Sequence, residues 1–157
     1  MISRIKKNID ALLISAYIIT LTVVSKIMYK RGAFDSLVLP RAYPSEHVFN
    51  IAWLAAYLLT AFAAITLVRA YKHIGYYKVI LGYFMVVVLL KTLWSYLFFI
   101  EQNITATLVT AIVTAFTVLT IIAYTWQDAK RIALLLVPVA LWMFFVIYLD
   151  YSLLILN

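Results

Sequence analysis

The chain has 157 residues, 67% of them hydrophobic and only 12% charged. A water-soluble domain of this length cannot bury so much apolar surface, so the composition excludes a soluble catalytic domain and points to an integral membrane protein. The excess of 13 Lys and Arg over 6 Asp and Glu then reads as membrane topology rather than nucleic-acid affinity, and the lack of cysteine rules out disulfides, Fe–S clusters and thiol chemistry.

A spanning helix needs about 20 apolar residues, and five runs qualify: Ala11–Met28, Val48–Val68, Val79–Ile100, Ala106–Tyr124 and Ile132–Leu156. The strand-like alternation of a membrane barrel is absent. The expected fold is an all-α membrane protein, a five-transmembrane-helix bundle, organised as one domain over residues 1–157. The N-terminus "MISRIKKNIDALLISAYIITL" starts like a signal peptide, but no small-residue cleavage site follows, so it reads as a retained first helix.

The first loop, "YKRGAFDSLVLPRAYPSEHVFN", is the only long one and holds Pro40 and Pro44. After it, Ser45 is placed as the N-cap of the second helix, with Glu46 near the positive end of the helix dipole. The later connections are short and force antiparallel neighbours. Asn103 is placed as the N-cap of the fourth helix. It also heads a glycosylation sequon, but the loop lies too close to the membrane for modification. Ala52 and Ala56, and Ala111 and Ala115, are small-xxx-small pairs suited to close helix approach.

One side of the membrane would carry Arg4, Lys6, Lys7, Arg69, Lys72, Lys78, Lys130 and Arg131; the other carries Lys26, Lys30, Arg31 and Arg41. The positive-inside rule puts the N-terminus in the cytoplasm.

Polar residues inside spans are the first place to look for function. Lys91 lies near the middle of the third span, where a lysine costs roughly 2.5–3.5 kcal/mol on insertion scales. Asp150 lies in the outer part of the fifth. The two sit about one helical turn, ~6 Å, apart in depth, and an intramembrane Lys91–Asp150 ion pair would spare each charge isolation. The alternative leaves Asp150 at the outer interface and Lys91 snorkelling or neutral.

Phe49, Trp53 and Tyr57 recur at i, i+4 and i+8 on one face of the second helix. Trp94 and Phe98 share a face of the third, with Lys91 one turn before them. Trp142, Phe145 and Leu149 share one of the fifth. Trp53, Trp94 and Trp142 lie too deep for an interfacial belt, which leaves helix packing or a stacking wall for a flat aromatic ligand. The only histidines, His47 and His73, fall at opposite ends of the second helix and cannot share a metal; His47 reads as a helix-start residue or, less simply, as one axial haem ligand. No metal site, nucleophile elbow, P-loop or carboxylate relay is present.

Three stretches, "PSEHVFNIAWLAAYLL", "LWSYLFF" and "ALLLVPVALWMFFVIYLDYSLLILN", resemble the TspO/translocator-protein family, the tryptophan-rich sensory proteins or peripheral-type benzodiazepine receptors. Pro44, Val48, Phe49, Trp53 and Tyr57 match the family's second-helix motif in register. Trp94, Ser95, Phe98 and Phe99 match the third, and Pro138, Trp142, Phe145 and Leu149 the fifth. The chain departs from the pattern at Ser45 (proline in the family), Val139 (tyrosine), and Lys91 and Asp150 (both asparagine). Tyr29 and Phe34 only approximate the first-loop aromatic pair. The C-terminal cholesterol-type motif fails, because no Lys or Arg follows Tyr148 and Tyr151.

The resemblance implies a homodimeric bundle whose pocket beneath the first loop binds porphyrins, haem or other planar aromatic ligands, with no cofactor required, no metal site and no nucleic-acid partner. Carried over by position, the wall is Pro44, Phe49, Trp53, Lys91, Trp94, Phe98, Trp142 and Phe145. It also implies light-dependent porphyrin breakdown as an alternative, with Trp142 or Trp53 as the participating residue. A carrier of porphyrins or lipids ranks last, on the ground that Pro138 begins the last helix and no span interior holds a proline.

Overall fold

A computed structural model describes residues 12, 14–24 and 37–157. Five helices follow in order: α1 (Ile14–Val24), α2 (Glu46–Ala70), α3 (Tyr77–Phe99), α4 (Ile104–Thr125) and α5 (Lys130–Leu156). The last four are each long and apolar enough to cross a membrane, and α1 is a shorter apolar helix. Each of the last four starts and stops within two residues of the expected span. Of the first expected span, Ala11, Leu13 and residues 25–28 lie outside the described residues, as do Tyr29, Phe34 and the basic residues of the N-terminus.

The helix ends follow local chemistry. Asn103 caps α4 by accepting a hydrogen bond from the Ala106 amide at 3.0 Å, and the preceding Gln102 takes a left-handed turn with φ of 51°. Ser45 occupies the N-cap position of α2, but its side chain makes no cap bond; only its carbonyl joins the helix, accepting from the Phe49 amide at 3.0 Å. Membrane threonines bond back to their own helix, as Thr110 does to the Ala106 carbonyl and Thr114 to the Thr110 carbonyl, both at 2.7 Å. Their hydroxyls are thereby satisfied in an apolar surround.

Pro138 does not begin the last helix; it lies inside α5. The helix starts two turns earlier, at Lys130, because the apolar run from Ile132 favours helix and membrane helices tolerate the bond that proline removes. The sequence-based ground for ranking a carrier last is therefore gone, although Pro138 is a single break rather than one of a matched pair.

Helix α4 packs most extensively on α5 and then on α3, α2 lies along α5, and the contact between α2 and α3 is the smallest of the four. Two clusters fill the interior. Towards the α2–α3 and α4–α5 connections the core is largely aliphatic, with Ala63, Ala64, Leu67, Val68, Ile80, Val87, Val118, Ile121, Ile132 and Leu136 around Phe84; Ile14 and Ile18 of α1 join it. Towards the first loop the core is largely aromatic. Of the small-xxx-small pairs, Ala111 and Ala115 are both buried, as is Ala56, while Ala52 is half-buried.

Candidate functional site

The aromatic faces expected on α2, α3 and α5 converge at the first-loop end. Trp53 of α2 lies 5.0 Å from Trp94 of α3 and 6.2 Å, edge-on, from Trp142 of α5, ring centroid to centroid. Phe49 contacts all three indoles, at 5.9 Å from Trp142 and 6.3 Å from both Trp53 and Trp94. Phe98 stacks on Trp94 at 4.9 Å with 15° between planes, and Phe145 packs against Trp142 at 5.4 Å. Such offset and edge contacts are the favoured geometries of aromatic pairs.

Two members of the cluster were not singled out as site residues from the sequence. Phe99 meets Trp94 edge-on at 6.2 Å, and Tyr43 stacks on Phe49 at 5.8 Å. The signal for Tyr43 was its place directly before Pro44, where the loop turns into α2. Tyr43, Pro44 and Phe49, with Leu39, Pro40, Ser45 and Glu46, line a cavity of about 320 Å³ beneath the first loop. Deeper in, the space between Phe49, Trp94, Phe98 and Asp150 is filled by these side chains and holds no room for water. A separate groove of about 410 Å³ runs between α2 and α5, lined by Ala52, Ala56, Pro138, Trp142 and Phe145 among others.

The Lys91–Asp150 ion pair expected from the sequence does not form. Lys91, fully buried, donates to the Thr60 hydroxyl at 2.9 Å and the Ala56 carbonyl at 3.3 Å, and its ammonium lies 5.1 Å from the Tyr57 ring centre. Asp150, 1% exposed, accepts instead from the Trp94 indole N–H at 2.8 Å. Of the alternative, Asp150 is not at an interface and Lys91 does not reach one, since both are buried inside the bundle. The physical reason is direction. Lys91 projects from the side of α3 that meets α2, where the Thr60 hydroxyl and the Ala56 carbonyl lie close. Trp94, one turn further along α3, takes the carboxylate. Each polar group is thus used between helices: Lys91 ties α3 to α2, and Asp150 ties α5 to α3.

The three cluster indoles differ in their hydrogen bonds. Trp94 is committed to Asp150, whereas the buried Nε1 atoms of Trp53 and Trp142 have no partner among the described residues. Buried polar groups are normally paired. His47 and His73 are both exposed, and among the described residues no group of His, Cys, Asp and Glu is arranged to hold a metal ion.

A clasp closes the first-loop end. The Asn157 side-chain amide accepts from the Val38 amide at 2.8 Å and donates to the Val38 carbonyl at 3.2 Å and to the Leu153 carbonyl at 3.0 Å. Leu37 and Tyr43, on either side of the clasped residue, pack on the aromatic cluster. At the opposite end, Tyr76 donates to Asp128, and that bond holds the phenol above its ordinary pKa; exposed Trp126 lies beneath the Lys130 ammonium at 5.7 Å.

Residues 11–156 match the family model described as the TspO/MBR family. No curated protein matches the chain.

Proposed function

The chain is a member of the TspO/MBR family of integral membrane proteins, and on that premise we propose that it is a tetrapyrrole-binding sensor or regulator. The ligand, a porphyrin or haem, is taken between α2, α3 and α5 at the first-loop end. The observation that carries this reading is the convergence of Phe49, Trp53, Trp94 and Trp142 from three helices, with two buried indole N–H groups left without a partner among the described residues. Flat rings offer stacking surfaces to a flat macrocycle, and the N–H groups offer it hydrogen bonds. The cavity beneath the loop, about 320 Å³, falls at the small end of ligand-site volumes, about 300–1,000 Å³. It would admit an edge of the ligand, and the filled space behind it must open as the macrocycle slides between the rings.

In this reading Pro44, Phe49, Trp53, Trp94, Phe98, Trp142 and Phe145 form the wall, and Lys91 braces α2 rather than meeting a propionate. The reading includes a homodimer, on the family resemblance, and a cytoplasmic N-terminus, on the charge bias. The test is a tryptophan-quenching titration with protoporphyrin IX, on the parent chain and on Lys91→Asn. Saturable quenching of similar affinity in both supports the reading. Loss of binding in a folded Lys91→Asn puts the lysine on the ligand, and no quenching of the parent removes the tetrapyrrole.

A second reading, light-dependent breakdown of the bound porphyrin, is favoured by the proximity of three indoles, with Trp53 5.0 Å from Trp94 and 6.2 Å from Trp142. Trp142→Phe would then abolish the bleaching of porphyrin absorbance under illumination while leaving binding; unchanged bleaching sinks it.

A further inference from the structure

We propose that Asp150 is a positioning residue for the aromatic site: through the Trp94 indole N–H it fixes the orientation of the ring against which a planar ligand stacks. The ligand part of this proposal rests on the tetrapyrrole reading; the positioning part does not.

The argument starts from what stacking leaves undecided. Trp94 is 2% exposed and surrounded by rings: Phe98 parallel to it at 4.9 Å, Trp53 tilted at 5.0 Å and Phe99 edge-on at 6.2 Å. These contacts hold the indole in a slot but discriminate weakly between its two edges, because the torsion that flips an aromatic ring is broad and roughly two-fold. A hydrogen bond does discriminate. The Asp150 carboxylate, on a different helix and itself buried, accepts from Nε1 at 2.8 Å, and only one of the two ring orientations makes that bond. Trp53 and Trp142 have no such acceptor among the described residues. One indole of the three is therefore held by direction as well as by packing, and it is the one that also carries Phe98 and Phe99.

The bond also gives Asp150 a partner within an apolar span. A charged or polar group there is costly without a partner, and Ser95, one residue beyond Trp94, is turned to its own helix, donating to the Lys91 carbonyl at 3.1 Å. Nε1 of Trp94 is the donor that serves Asp150.

The test uses the full chain in micelles, labelled with nitrogen-15 at tryptophan, with the Trp94 indole resonance assigned from Trp94→Phe. Asp150→Asn keeps an acceptor and should leave that resonance at a hydrogen-bonded position. Asp150→Leu should move it upfield and speed exchange of the indole proton. Protoporphyrin IX should then bind about tenfold more weakly to Asp150→Leu and return to near-parent affinity in Asp150→Asn, the size of effect expected for one buried hydrogen bond. In the Trp94→Phe background, Asp150→Leu should cost no further affinity.

An unmoved Trp94 resonance in Asp150→Leu overturns the proposal. So does a moved resonance with parent affinity, or an additive loss in the Trp94→Phe background. If the parent binds no protoporphyrin IX, the tetrapyrrole reading falls, and the resonance alone decides whether Asp150 holds the ring.

Discussion

The two halves of the bundle solve the same packing problem with different materials. Away from the first loop, α2 to α5 meet through alanine, valine, leucine and isoleucine around one phenylalanine, Phe84. At the first-loop end they meet through indole and phenyl rings and the Asp150 carboxyl group, with the Lys91 amine at the boundary between the two halves. Lipid tails are as apolar as leucine, so helices in a membrane associate through packing and hydrogen bonds rather than through water exclusion. The aliphatic half uses the first means and carries few polar atoms. The aromatic half needs both, and it still leaves two buried N–H groups without partners among the described residues. A structure built only for stability would not choose the second design, and that difference is the ground on which the proposed site falls in the aromatic half.

This contrast can be broken by substitution. The largest effect is expected in the aliphatic half: Phe84→Ala should cost about 3 kcal/mol through the cavity it opens, read by unfolding in mixed micelles, with ligand affinity changing only as far as the fold does. Next, Thr60→Val removes one of two acceptors of Lys91 and should cost roughly 1–3 kcal/mol; equal stability would mean that the lysine does not brace α2. Trp53→Phe should invert the pattern, with stability within ~1 kcal/mol of the parent, since an unpaired donor leaves with the ring, but protoporphyrin IX affinity reduced about tenfold.

Asn157→Ala should cost about 1 kcal/mol and speed both association and release of porphyrin in stopped-flow quenching; unchanged rates would separate the clasp from the site.

The smallest effect belongs to the far rim. The bond to Asp128 raises the pKa of Tyr76, so its contribution is complete below the ordinary phenol value of about 10 and is lost as pH rises through the raised folded value. Stability of Tyr76→Phe should therefore differ from the parent below that window and converge with it above, a difference visible in alkaline unfolding curves.

Much of this was legible in the residues themselves. The four long spans announce themselves by length, and a period of about four places Phe49, Trp53 and Tyr57, or Trp94 and Phe98, on one buried face. Partners were harder. Depth along a helix brought Lys91 and Asp150 level, but depth does not give direction, and the face of α3 from which Lys91 projects decided between α2 and α5. The Ala56 carbonyl, a main-chain acceptor, carries no signature in residue type at all. Ser45 stands at the right cap position and yet makes no cap bond, since residue identity sets the opportunity and not the geometry. Pro138 was misplaced because proline is read as a helix start, a rule learned in water that weakens in lipid. The clasp of Asn157 on Val38 joins positions 119 apart, and no local pattern could have suggested it.

That clasp has a consequence for how the molecule can be observed. The same amide group bonds Val38 of the first loop and the Leu153 carbonyl in the last turn of α5, so loop and helix end share one free-energy term. Whatever steadies the loop steadies the turn, and by reciprocity fraying of the turn loosens the loop. Hydrogen exchange at the backbone amides of that last turn should therefore follow the order of the first loop, without a probe placed in the loop.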